Sequence, residues 1–131
     1  MEQFGERDFW LGLNPSGHIE DRAYLQRIQL LDPGKASLDT AMQRLSAEGY
    51  FQLKEQDWSG LVDRCREIVA KLEANSVPPV FAFVYDEFWE LFYKLHHVLK
   101  RVFGGRFHVM PEFWVWSLDP SRQDRGWKEH R

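Results

Sequence analysis

A single cysteine, Cys65, in 131 residues leaves no intramolecular disulfide to form, and so little cysteine fits a reducing compartment. No apolar run approaches the ~20 residues that a membrane span needs. The opening MEQFGERDFW has acids among its first residues and no apolar core of signal-peptide length. Basic charge is also thin. Seventeen Lys and Arg stand against 20 Asp and Glu, for a net charge of -3, and no run of them forms a stripe that could neutralise a phosphate backbone. These absences point away from membrane and nucleic acid, toward a cytoplasmic protein. Chemical motifs are equally scarce. Gly104-Gly105 lacks the further glycines and the Lys-Ser/Thr of a phosphate loop, and no nucleophile elbow occurs.

What the chain does have is material for a core. Hydrophobic residues make up 44% and aromatics 15%, with six Trp and ten Phe, too apolar for a disordered chain. At this length one domain, 1–131, can bury roughly two-thirds of its unfolded surface.

Residues 1–20 read as an irregular arm with a turn at Asn14-Pro15-Ser16-Gly17. A short helix is expected over 21–30, stopped before Asp32-Pro33-Gly34. Region 37–105 reads as mainly helical. One helix runs from a Ser37 cap to Glu48, ahead of Gly49. Tyr50–Leu53 reads as a short strand. The clearest helix follows an Asp57 cap, with Trp58, Leu61, Val62, Cys65, Ile68, Val69 and Leu72 on one stripe. Asn75 to Pro79 ends it, and Val80–Tyr85 is β-rich. A last helix starts at an Asp86 cap, carries Phe88, Leu91, Phe92, Leu95, Leu99 and Val102, and stops at Gly104-Gly105. Region 106–131 reads as strands, so the expected fold class is α+β: helices through the first three quarters, then an accumulating, unfinished sheet.

Few residues offer chemistry. Cys65 lies on an apolar stripe, the setting of an inert core thiol. His96 and His97 diverge by about 100° on a helix and are poorly placed to share a metal. Glu87 and Glu90, at i and i+3, read as a solvated face rather than an acid/base pair. His18 and His108 have no partner at ligand spacing. No catalytic residue is assigned. A zinc site from His108, Glu129 and His130 is disfavoured, because neighbouring strand residues 129 and 130 point to opposite faces.

Two stretches carry a resemblance. AEGYFQLKEQDWSGLVDRCREIVAKL (47–72) and FWVWSLDPSRQDRGWKEHR (113–131) are similar to the front of phytanoyl-CoA-dioxygenase-like proteins, which are Fe(II)- and 2-oxoglutarate-dependent oxygenases with a double-stranded β-helix core. The resemblance spans 40–131. It implies that 106–131 belongs to an incomplete jelly-roll sheet. It also implies that His130 is the histidine of a His-x-Asp iron motif, provided an aspartate follows Arg131. A facial triad of two histidines and a carboxylate leaves open iron positions for 2-oxoglutarate and O2, and only His130 of that set falls in this chain. The chain is therefore expected to be an inactive fragment that holds neither cofactor usefully, with a homodimer or another chain closing the unfinished sheet edge. The alternative is a complete small α+β interaction module of adaptor or immunity type. It would use the aromatic arm 1–13 and Trp10, Trp114, Trp116 or Trp127 to meet a partner, although core packing is the stronger reading of Trp114 and Trp116.

Overall fold

A computed structural model describes residues 2–53, 58–110, 112–119, 121 and 123. Among them the architecture is all helical. A 3-10 turn, Glu2–Gly5, leads into α1 (Arg7–Leu13), α2 (Arg22–Gln26), α3 (Lys35–Glu48) and α4 (Ser59–Ala74). A second 3-10 turn, Pro79–Val84, precedes α5 (Asp86–Lys94) and α6 (His96–Val102).

The expected α+β class is overturned: no strand forms among the described residues. Tyr50–Leu53, 106–110 and 112–119 lie outside any helix or ladder. The physical reason is partnership. A helix closes its hydrogen bonds within itself, whereas a strand exists only when a neighbouring run supplies its ladder. Residues 126–131, the last expected strand, lie outside the described residues, as does Asp57.

α4 forms where its stripe predicts. Leu61, Cys65, Ile68 and Leu72 are all buried, at 4%, 8%, 2% and 0% exposure, and each large aliphatic removed from water stabilises by roughly 1.5–3 kcal/mol. Val62 falls off the stripe and stays 43% exposed. The helix ends at Asn75, and Val77 N–H returns to Leu72 C=O at 2.9 Å. The β-rich Val80–Tyr85 instead makes the second 3-10 turn, with a proline in its opening turn, where a preset φ helps.

The helix expected from Asp86 through Val102 is two helices. Leu31 N–H donates to Lys94 C=O at 2.8 Å, occupying a carbonyl that Val98 would need in one continuous helix. α3 starts at Lys35 behind Gly34 rather than at Ser37, and it stops at Gly49 as expected, in the left-handed region at φ 81°. Gly104 and Gly105 close α6 the same way, at φ 69° and 102°.

The arm is more ordered than an irregular reading allows. α1 places Trp10 (3% exposed) in a core with Leu61, Ile68, Leu72, Ala82, Tyr85 and Phe88. Trp10 stacks on Phe4 and Phe81, with centroids 5.6 and 5.4 Å apart. α3 packs on α6 at one side, burying Ala41 and Val98, with Arg101 paired to Asp39 at 2.9 Å.

Candidate functional site

The densest chemistry lies where the arm meets α5, at residues read from sequence as solvated or partnerless. α5 opens Asp86-Glu87, and all of Asp86, Glu87 and Glu90 are buried, at 5%, 1% and 8% exposure. A buried carboxylate needs donors aimed at it, and the arm supplies them. The backbone N–H of His18 donates to both Glu87 oxygens, at 3.2 and 3.3 Å. His18 Nδ1 lies 2.7 Å from Glu87 Oε1. The N–H groups of Glu20 and Asp21 donate to Asp86 at 3.2 and 2.8 Å, and Asp86 N–H answers to His18 C=O at 2.8 Å. The start of a helix also favours negative charge.

A second layer continues from this clamp. The His18 ring stacks on Tyr24 at 4.0 Å and 19°. The Tyr24 hydroxyl donates to Glu90, which also accepts from Arg64 Nη2 at 3.2 Å and lies 3.5 Å from Lys94 Nζ. Burial and the Glu90 carboxylate push the Tyr24 hydroxyl well above its ordinary range. The N–H of Tyr24 holds Asp21 below the usual carboxylate range, as expected for a helix cap accepting at 3.0 Å. Among the described residues every buried side-chain N and O atom has a partner.

The turn before His18 is locked as firmly. Asn14, 3% exposed, accepts from Lys71 Nζ at 2.6 Å and from Ser16 Oγ at 3.0 Å. Tyr85 is fully buried, and its hydroxyl donates to Trp10 C=O at 2.7 Å. A carboxylate on Nδ1 and the stacked Tyr24 ring fix the His18 ring. The visible work of the network is mechanical: five hydrogen bonds from residues 18–21 fasten the arm to two carboxylates on α5.

The second feature is the segment after α6. Burial alternates along 112–116, with Phe113 and Val115 turned inward and Glu112, Trp114 and Trp116 outward, the two-residue period of an extended chain. Phe113 stacks on Phe83 at 4.6 Å and meets Trp89 edge-on at 4.9 Å. Outside, Trp114 is 67% exposed, Trp116 44%, Leu118 49%, Val109 48% and Met110 66%. Trp114 and Trp116 therefore do not pack in a core, while Trp10, expected as a partner-facing residue, does. Between α4 and residues 115–118 runs a cleft of about 760 Å³, floored by Cys65, Phe88 and Leu91.

The other sequence candidates stay apart. Cys65 is buried, and burial, then the Glu87 charge, pushes its thiol up to about 11. His96 and His97 are exposed, with ring centroids 6.2 Å apart. His108 is exposed on the segment, whereas Glu129, His130 and Trp127 lie outside the described residues. Among the described residues no three His, Cys, Asp or Glu side chains come together to hold a metal. No helix among them is long and apolar enough to cross a membrane.

No family model, curated protein or solved structure matches this chain.

Proposed function

We propose that this chain is a docking platform: a helical, non-catalytic body that holds residues 106–119 out as an apolar face for another polypeptide, with a second copy as its first partner. The observation that carries this reading is Trp114. It is 67% exposed between two residues whose side chains are anchored on the helices, and Met110 and Leu118 extend the apolar surface along the same stretch. Apolar side chains gathered in one place, rather than scattered singly, mark interaction surfaces, and aromatic residues dominate interface energetics. The clamp at His18 and Glu87 supports the same reading, because a platform must be rigid where it carries its binding segment. Light scattering across a range of concentrations tests it. Association is expected for the native chain and lost in Trp114→Ser/Leu118→Ser, with helical circular dichroism unchanged. A native chain that stays monomeric throughout would remove the second copy as partner.

A second reading keeps the resemblance: the chain is the front part of a phytanoyl-CoA-dioxygenase-like oxygenase, inactive by itself. Its support is the resemblance carried by residues 47–72 and 113–131. On this reading 106–119 docks on the rest of the enzyme, and His130 takes part in iron binding once an aspartate follows Arg131. The test is a longer chain carrying that aspartate. Its thermal midpoint should rise with Mn(II) plus 2-oxoglutarate, since a ligand at 100 times its Kd stabilises by about 2.7 kcal/mol. No shift would overturn the oxygenase reading without touching the platform.

A further inference from the structure

The platform leaves open how a second copy would sit, and residues 106–112 carry information on that point. Arg106, His108, Val109, Met110 and Glu112 are all exposed. None of them has a hydrogen bond or ion pair with another described residue, through backbone or side chain. The run follows directly on Gly104-Gly105, so it leaves α6 as a fresh segment. Phe107 alone turns toward the body, with its ring 5.9 Å from Phe103 and 5.7 Å from His96.

Resting on that reading, we propose that two copies pair antiparallel through residues 106–112, about a two-fold axis at Val109. Charge complementarity selects this register. Pairing about Val109 sets Arg106 opposite Glu112 of the other copy, at both ends of the ladder, and His108 opposite Met110. Opposite charges across a strand pair attract, and like charges directly opposite repel. Backbone chemistry agrees. In an antiparallel ladder, pairs that exchange both hydrogen bonds alternate with pairs that exchange none. With the even-numbered residues in the bonded pairs, the backbone N–H and C=O groups of Arg106, His108, Met110 and Glu112 find their partners on the other copy. Arg106, His108, Met110 and Glu112 then share one face, and Phe107 lies on the other, in keeping with its half-burial against Phe103 and His96. The two Val109 residues form an unbonded pair, whose Cα atoms come within about 4.5 Å.

Every position concerned is exposed, so variants should fold, and helical circular dichroism serves as the check. Arg106→Glu and Glu112→Arg should each weaken the dimer by about tenfold or more, since each turns two attractive pairs into repulsive ones. Mixing the two variants should restore dimer as a heterodimer, because every pair across that interface is again of opposite charge. Val109→Cys should cross-link under mild oxidation, where Met110→Cys should not. The native Cys65 is buried and does not compete. A native chain that stays monomeric overturns this pairing together with the second-copy reading. A dimer indifferent to both charge swaps, yet abolished by Trp114→Ser/Leu118→Ser, overturns this register and leaves the platform standing.

Discussion

Replacing Tyr85 by phenylalanine removes one hydroxyl from the centre of the core, and its consequence differs between neutral and alkaline pH. Tyr85 is fully buried, and its hydroxyl donates to Trp10 C=O at 2.7 Å. Near neutrality, Tyr85→Phe leaves that carbonyl without its donor, which costs about 1–3 kcal/mol. At high pH the hydroxyl becomes a liability. Burial, and then the Glu87 charge, push its pKa from 10.0 up to about 12. Because the folded value is the raised one, the stabilisation is complete below about pH 10. It drains away between about pH 10 and 12, where the unfolded chain sheds its proton and the native chain keeps it. Two units correspond to about 2.7 kcal/mol. The phenylalanine variant lacks this loss. It keeps the part due to Tyr24, whose hydroxyl is also raised, so its alkaline slope should be shallower rather than flat. Urea unfolding followed by tryptophan fluorescence, at a series of pH values from neutral to about 11, measures both effects. The native chain should be the more stable at neutral pH, with the two curves converging as pH rises. A variant equal to the native chain at neutral pH, or equal in slope above pH 10, would refute the account of Tyr85 as a buried, neutral donor.

Further outcomes follow from other contacts. Glu87→Gln keeps the volume but removes the charge that two His18 donors address, and should lower stability by about 2–3 kcal/mol. Limited proteolysis should then cut between residues 14 and 20, and an unchanged cleavage pattern would show that the arm is held elsewhere. Gly17→Ala would place a Cβ 2.6 Å from Asn14 Nδ2 and 2.7 Å from the Tyr85 ring. It should cost about 1–3 kcal/mol by overpacking, and an unshifted urea midpoint would contradict that contact. Cys65, with its thiol raised to about 11, should react with a maleimide only in denaturant; rapid labelling in native buffer would mean that the cleft above it admits reagents.

Legibility from sequence varied with the range of the forces involved. α4 could be placed because its stripe repeats at the helical period, and Gly49 and Gly104-Gly105 could be placed as stops because left-handed backbone favours glycine. The α5–α6 break could not. It depends on Leu31 reaching Lys94 across more than sixty residues of chain. Glu87 and Glu90 were misread for a similar reason. Their spacing is equally that of a solvated face, and only the donors of His18, Tyr24 and Arg64 make their burial tolerable. The one local signal was Asp86-Glu87 opening a helix, where acids are favoured. It marks the helix start and does not reveal what lies against it. Trp10 is buried and Trp114 exposed, an outcome that composition could not give because it counts aromatic surface without saying which side of it is covered.

The sequence by itself determined the apolar stripe of α4, the glycine stops at Gly49 and Gly104-Gly105 and the burial of the single thiol, since each follows from hydrogen bonding or burial within a few residues. Tertiary structure decided three further things: that the arm is clamped to α5, that buried carboxylates are matched by backbone donors, and that the β-rich runs form no ladder among the described residues. Those outcomes depend on partners distant in the chain. A helix carries its partners within itself, while a strand or a buried charge must find them elsewhere.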